Sequence, residues 1–322
     1  MDTALRSAVV VNPVKVADLD ELRRTITEAL APAGWPEPMW LETTAEDPGA
    51  GQAAQAVRDG AEVVFVCGGD GTVMACVGAL AGTEVALAVL PAGTGNLLAA
   101  NLGLSNDLAT GIEVALQGGR RRIDVGCVGE QRFAVMAGMG FDAQMLDATS
   151  DTAKKHVGWL AYVAGALRHL RDRPMRVRIS LDGGPAFTRR PRTVIVGNVG
   201  RLQGGMRLLQ EAQPDDGLLD VAVLSPRNLR HWLALAWGVL RRRDAVPRME
   251  TFTASTVEIR SNRPQPRQLD GDLIEPGKEL LISVRPKALV LCVPRPETDP
   301  DLAHDAGAVA RDADEVREAT GA

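Results

Sequence analysis

The segment from Val63 to Val73 changes character twice, and few folds accommodate that. Val63, Val64, Phe65 and Val66 form an apolar, β-branched-rich run of the kind that makes a buried strand. It leads without a break into Gly68, Gly69, Asp70, Gly71 and Thr72, after which Val73, Met74, Val77 and Leu80 recur at helical spacing. A strand, a glycine turn and a helix in direct succession is a geometry in which backbone N–H groups and a helix N-terminus hold a phosphate. The glycines permit conformations and close approaches that side chains would block. A turn that binds nothing has the same composition, so the motif needs its context. The spacing is neither GxxxxGK[ST] nor GxGxxG, which sets aside the ordinary P-loop and dinucleotide-binding readings.

That context lies on both sides. A first strand over residues 7–11 ends at Asn12-Pro13, and Leu19, Leu22, Ile26 and Leu30 then mark a helix. A second strand around 36–41 ends at Thr43-Thr44, and a helix carries Ala53 to Val57. Strand 63–67 precedes the glycine turn, helix 73–80 follows it, and strand 85–90 runs into Pro91-Ala92-Gly93-Thr94-Gly95-Asn96 before another helical stretch from Leu97. Alternating strands and helices predict a mostly parallel sheet covered on both faces. Such sheets bind ligands at the carboxyl ends of their strands. All four polar turns follow strands, so all four belong on one rim.

After about residue 122 the texture changes to short strand-like runs: 123–128, 132–137, 175–181, 193–199, 218–224, 256–260, 280–284 and 288–293. Turns such as Asp182-Gly183-Gly184 and Asp216-Gly217 separate them, which predicts a β-rich second domain of sandwich type. Two helices interrupt it, around 157–170 and 227–243. The domain expectation is 1–125 for an α/β nucleotide-binding unit, 126–285 for the β-sandwich and 301–322 for an acidic tail, with 286–300 returning to the first unit.

At 322 residues the chain has ample core for two domains. Its net charge of −5 leaves no global basic field for nucleic acid. Arginines cluster locally, from Arg168 and Arg171 through Arg176 and Arg178 to Arg189, Arg190 and Arg192, which reads first as a solvated face. Cys67, Cys76, Cys127 and Cys292 show no CxxC or metal spacing and fit buried, reduced thiols in a cytoplasmic protein. No signal peptide is expected, and no apolar run reaches the ~18 residues of a membrane span.

With these residues in place, the chain resembles the diacylglycerol kinase catalytic-domain family, the bacterial lipid kinases related to sphingosine and ceramide kinases. The resemblance covers most of residues 7–295. It rests on Val-Val-Asn-Pro (10–13), Thr43-Thr44, Gly-Gly-Asp-Gly-Thr (68–72), Pro-Ala-Gly-Thr-Gly-Asn (91–96), Arg-Arg-Ile-Asp-Val-Gly (121–126), Gly-Met-Gly-Phe-Asp-Ala (138–143), Asp-Asp-Gly-Leu-Leu-Asp-Val (215–221) and Gln-Leu-Asp-Gly-Asp (268–272). Gly-Gly-Asp-Gly alone is shared with NAD kinases and phosphofructokinases; the ordered series is far more specific. The Asn-Glu block of NAD kinases is missing after the glycine motifs.

The resemblance implies an NAD kinase/phosphofructokinase-like α/β domain followed by a β-sandwich, and an ATP-dependent lipid kinase, most directly one that converts diacylglycerol to phosphatidate. A kinase of a sphingoid-type or soluble alcohol, or a nucleotide- or lipid-binding pseudokinase, are the other readings. ATP is expected at Asn12, Pro13, Lys15, Thr44, Gly68, Gly69, Asp70, Gly71, Thr72, Gly93, Thr94 and Asn96. Asp70 and Asp272 share candidacy for the proton step; Asp70 carries the wrong charge to touch phosphate, so it is expected to bind Mg²⁺ or polarise the acceptor hydroxyl. Asp272 stands where the family usually has Glu, one methylene longer. Asp216 resembles a structural Mg²⁺ ligand, with main-chain oxygens near Gln213 and Leu218 and with Asp124 joining through water. Leu97 replaces a frequent Asp. Partners implied are a lipid substrate at a membrane surface and a homodimer; the location implied is cytoplasmic with peripheral membrane association. The 227–243 helix, with two tryptophans and terminal arginines, is read as packed against the sandwich, with an anionic interface as the alternative.

Overall fold

The computed structural model describes residues 4–91, 97–101, 107–140, 174–200, 208–209, 211–226, 228–241 and 246–295. The expected helix at 157–170, the acidic tail and the turn positions 92–96 lie outside these residues.

The first half is built as its apolar runs dictate. Strand β1 (Ser7–Val11) is wholly buried and lies between β2 (Met39–Glu42) and β3 (Val63–Gly68), parallel to both. Strand β4 (Ala86–Pro91) extends the parallel set beside β3. Helix α1 (Leu19–Leu30) starts where the Asp18 carboxylate accepts the Glu21 N–H at 2.9 Å, and it buries Leu22, Ile26 and Leu30. Those side chains share a core with Val9, Val11, Phe65 and Ile112, the last from α5 (Leu108–Gln117). On the opposite face, α2 (Ala50–Arg58) and α3 (Asp70–Leu80) pack Ala53, Ala56, Val73 and Val77 against Val10, Val64 and Val66. Alternate residues of one strand thus feed two cores, which explains why these strands are apolar throughout. Helix α4 (Leu97–Asn101) follows the β4 rim.

The second half is antiparallel. Strands β5 (Gly119–Val128), β6 (Gln131–Phe133), β7 (Met136–Gly140), β8 (Val177–Leu181), β9 (Phe187–Arg189), β10 (Thr193–Gly197), β11 (Leu219–Leu224) and β12 (Met249–Ala254) enclose a third core with Met139, Ile179, Val196 and Leu219. Helix α6 (Leu229–Leu240) connects β11 to β12. Strands β13 (Thr256–Leu269) and β14 (Asp272–Val293) form a long hairpin that joins the two halves into one sheet. At its far end β14 lies parallel to β4, with Val290 opposite Ala86 and Leu291 opposite Leu87.

Several elements differ from the sequence expectation: β9, β12 and the separate helix α5 were not among the expected elements, and β13 runs on to Leu269. Helix α3 begins at Asp70, not Val73, so Asp70, Gly71 and Thr72 are its first turn. The run 132–137 is two strands, parted where the N–H groups of Ala134, Val135 and Met136 all turn to the Asp270 carboxylate. The runs 280–284 and 288–293 are one strand with a register shift against β5, and Lys287 takes a left-handed φ of 51° at that shift. Prolines 264 and 266 likewise sit at register shifts inside β13, where no ladder N–H is required of them.

Because β14 supplies the strand beyond β4, residues 4–128 alone leave an apolar sheet edge uncovered. A fragment ending at Val128 is expected to be insoluble or to lack a cooperative unfolding transition by circular dichroism, whereas a chain ending at Arg295 unfolds cooperatively.

Candidate functional site

Strand order reverses around β1, whose chain leaves to β2 on one side while β3 lies on the other. The crevice beyond the carboxyl ends of β1 and β3 is the place where such sheets receive ligands. The Asn12 N–H donates to the Cys67 carbonyl at 2.8 Å, tying the two strand ends together. The Asn12 side-chain oxygen accepts from Val14 N–H at 3.1 Å, and its amide stands 3.5 Å from the buried Thr72 hydroxyl. Pro13 is half-buried in this turn and Lys15 is exposed just beyond it. Thr44 is exposed on the same rim, its hydroxyl accepting from Asp47 N–H at 3.1 Å. Gly93, Thr94 and Asn96 lie outside the described residues.

The glycines of 68–72 serve space. None of Gly68, Gly69 or Gly71 has a positive φ. A Cβ on Gly68 would come 2.6 Å from the Thr72 Cβ, so this position admits no side chain while Thr72 folds back over it. A Cβ on Gly69 would meet nothing within 4 Å among the described residues. The first turn of α3 has N–H groups with no carbonyl partner within the helix, at its positive end, and among the described residues the space beside Gly69 is open. That is the requirement for a phosphate seat.

Three carboxylates converge here with three different occupations. Asp70 accepts from the Leu97 N–H at 2.7 Å, joining the glycine turn to the start of α4. Asp270 is buried, and its two oxygens accept from Ala134, Val135 and Met136 at 2.8, 2.9 and 2.6 Å. Burial pushes its pKa up to about 7 despite those bonds, and the nearby Asp70 charge adds to the rise. Asp270 and Gly271 both have positive φ, 49° and 98°, which makes Leu269–Asp272 a two-residue hairpin turn. The turn presents Asp272 to the glycine turn: Oδ2 lies 3.5 Å from where a Gly71 Cβ would be. Solvent reaches Asp272, yet the surrounding protein removes enough water from its carboxylate to raise the pKa above the ordinary aspartate value. Among the described residues its carboxylate accepts no hydrogen bond.

The other acids form a separate cluster around the Asp216-Gly217 turn. Asp124 is fully buried and accepts from Gly217 N–H and Lys287 N–H, both at 2.6 Å, so it clasps the turn to the β14 register shift. Burial first, and then the charges of Asp216 and Asp215, raise its pKa against those two bonds. Asp216 accepts from Leu218 N–H at 2.8 Å, Gln213 is exposed, and Arg121 forks onto Asp215 at 2.9 and 3.1 Å. Asp220 was not singled out as a site residue in the sequence; it is buried, and desolvation with the Asp216 and Glu211 charges raises its pKa to about 6. Among the described residues no three His, Cys, Asp or Glu side chains gather as a metal site, so a cation here would rest on Asp216 and main-chain oxygens near Gln213 and Leu218. That all-oxygen set has the chemistry of a Mg²⁺ site.

Buried Asn198 links the two clusters. Its amide donates to the Asp124 carbonyl at 2.7 Å and the Ala134 carbonyl at 3.1 Å, and Ala134 in turn donates to Asp270. Asp270, Asp220 and Asn198 are the residues the motifs did not single out by role. Asp270 left a trace as the acid in the first position of a tight Asp-Gly turn, and Asp220 as a member of the 215–221 block. The arginine cluster dissolves in part: Arg189 pairs with Glu250 at 2.8 Å and Arg192 is buried with its Nε on the Pro226 carbonyl, while Arg168 and Arg171 lie outside the described residues.

Comparison with known proteins identifies the family and the fold. The family described as "Diacylglycerol kinase catalytic domain" matches residues 6–128, and "YegS C-terminal NAD kinase beta sandwich-like domain" matches 135–293. A Chromohalobacter salexigens protein named "Probable lipid kinase YegS-like" is 31% identical over 78% of this chain and 82% of its own. A Mycobacterium tuberculosis protein named "Diacylglycerol kinase" is 29% identical over 64% of this chain and 69% of its own. The crystal structure of a diacylglycerol kinase from Bacillus anthracis superposes with a TM-score of 0.71 at 22% identity, covering 89% of this chain and 96% of that one. An Archaeoglobus fulgidus NAD kinase, solved in complex with ATP, gives a TM-score of 0.50 at 12% identity over 89% of this chain and 93% of its own, a likeness of fold.

Asp270→Ala is expected to destabilise the chain by about 3 kcal/mol or more, because it leaves buried N–H donors at 134–136 without an acceptor. Urea denaturation followed by tryptophan fluorescence measures this; a loss below about 1 kcal/mol would contradict the clasp.

Proposed function

The chain belongs to the diacylglycerol kinase catalytic-domain family, and from that premise we propose that it is an ATP-dependent lipid kinase that transfers the γ-phosphoryl group to a lipid hydroxyl, diacylglycerol being the acceptor and phosphatidate the product. The observation that supports this most is the open Asp272 carboxylate beside the first turn of α3. Phosphoryl transfer needs a held triphosphate, neutralised charge and an acceptor hydroxyl aligned for in-line attack. The α3 N-terminus, the Thr72 hydroxyl and Asn12 supply the seat in this reading. Asp272 takes the acceptor proton, since Asp270 is saturated by N–H donors and Asp70 is engaged by Leu97. Mg²⁺, when bound, would neutralise the triphosphate, with Asp70 the acid nearest the phosphate seat. Asp270, its charge reduced by burial, lessens the repulsion that two more full charges would impose on an incoming triphosphate.

Transfer of radiolabel from ATP to a panel of lipids in mixed micelles tests the proposal directly. Label is expected in phosphatidate; label only in a water-soluble alcohol, or none with ATP still bound, would overturn it. Asp272→Asn is expected to lower kcat by about 10²–10⁴ while leaving the thermal midpoint in place, and Asp272→Glu to restore part of the rate. Because the Asp272 pKa is raised and the base must be ionised, the acid limb of the rate profile is expected above the ~3.9 of an unperturbed aspartate.

The Asp216 turn is proposed to hold a structural Mg²⁺. Added MgCl₂ is expected to raise the thermal midpoint of the wild-type chain, by about 2.7 kcal/mol of stability at a hundredfold excess over Kd. Asp216→Asn is expected to abolish that response.

A further inference from the structure

Among the described side chains of helix α6, some are buried against the protein and others face solvent. Leu235 is buried in the core it shares with Ala222 and Leu224, and Gly238 is packed so closely that a Cβ there would lie 3.1 Å from Val246. Arg230, Ala234, Trp237 and Arg241, turned away from Leu235, are all exposed. At 3.6 residues per turn these four positions fall within about 60° of arc, a single row about 16 Å long. Trp237 is the only aromatic among the large exposed apolar side chains of the described residues, with 51% of its surface open. The Arg241 guanidinium stacks 4.5 Å from its ring centroid. Between Asn228 and Arg241 the helix carries no Asp or Glu.

An exposed tryptophan in a row bounded by arginines, on a protein of net charge −5, is an anomaly of both charge and polarity. The overall charge repels an anionic surface, whereas this row attracts one and thereby sets which side faces it. Tryptophan favours the headgroup region of a bilayer, and each arginine near an anionic leaflet adds attraction. The cation–π contact holds the ring and the charge together, so both reach the same depth. We propose that the Arg230–Trp237–Arg241 face of α6 is the surface with which this protein docks on an anionic lipid bilayer. The proposal takes its choice of partner from the lipid-kinase reading, but it concerns a surface apart from the Asp272 site and is measured without turnover.

The test is co-sedimentation with vesicles of phosphatidylcholine alone or with one third phosphatidylglycerol, in the absence of ATP. The wild-type chain is expected to sediment with the mixed vesicles far more than with the neutral ones, and less as salt rises. Arg230→Gln and Arg241→Gln are each expected to weaken binding roughly fivefold, the equivalent of one basic residue at an anionic surface. Trp237→Ala is expected to weaken it at least as much, with Trp237→Phe intermediate; unchanged thermal midpoints show that the variants are folded. Equal binding by wild type and all variants would overturn the assignment, as would equal binding to neutral vesicles. So would concentration-dependent dimerisation that Trp237→Ala abolishes in a chain that binds no vesicle, which would make the row a contact between copies. Failure of lipid phosphorylation with vesicle binding intact would count against the proposed reaction and leave the docking face standing.

Discussion

One buried carboxylate organises the site. Asp270 draws the N–H groups of Ala134, Val135 and Met136 onto its two oxygens, and this single clasp has consequences in both directions along the chain. It ends β6 and starts β7 by taking donors away from the sheet ladder. It also anchors the tip of the β13–β14 hairpin, and the tip carries Asp272 two residues on. Without the anchor, a hairpin end is the part of a sheet most prone to fray. With it, the open carboxylate of Asp272 stands over Gly71.

The same device recurs at Asp124, which holds the Gly217 turn against Lys287. In both places a buried acid is used as an acceptor of backbone N–H groups where the ladder breaks, and in both burial raises the pKa while the N–H bonds oppose it. Asn198 stitches the two clasps together through the carbonyls of Asp124 and Ala134. The acids left for chemistry are those that the backbone does not claim in full. A site rich in carboxylates that must admit a triphosphate gains from this division, since a carboxylate committed to N–H donors presents less field to an anion than a bare one.

The parallel half was legible because its information is local. Val63 to Val66 and Ala86 to Leu90 are apolar at every position, as strands buried on both faces must be, and each runs into glycine or proline, which seldom continue a strand. The start of α3 was not legible, because Gly69 and Gly71 have the poorest helix propensity short of proline and conceal a first turn that the packing of Thr72 on Gly68 secures. The unity of β14 was hidden by Pro276 and Gly277, which lie opposite the register shifts of β13, and by Pro286, whose irregularity β5 and the Asp124 clasp absorb. Asp272 was visible through its block, but the job of Asp270 was not. Its partners lie more than 130 residues earlier, and no spacing rule connects them.

Leu97 shows how a departure in sequence is resolved in three dimensions. The family resemblance implies a frequent Asp at this place, and its replacement by leucine reads at first as a carboxylate missing from the metal network. The structure divides the residue's two parts between separate tasks. The side chain enters the core shared with Val73 and Val77, where a carboxylate would be desolvated without a partner. The backbone N–H reaches Asp70 and holds the glycine turn to α4. The contact between the two loops therefore runs through a main-chain donor, which no substitution except proline removes. What the leucine alters is the count of negative charges on the rim, one fewer where the triphosphate is proposed to sit.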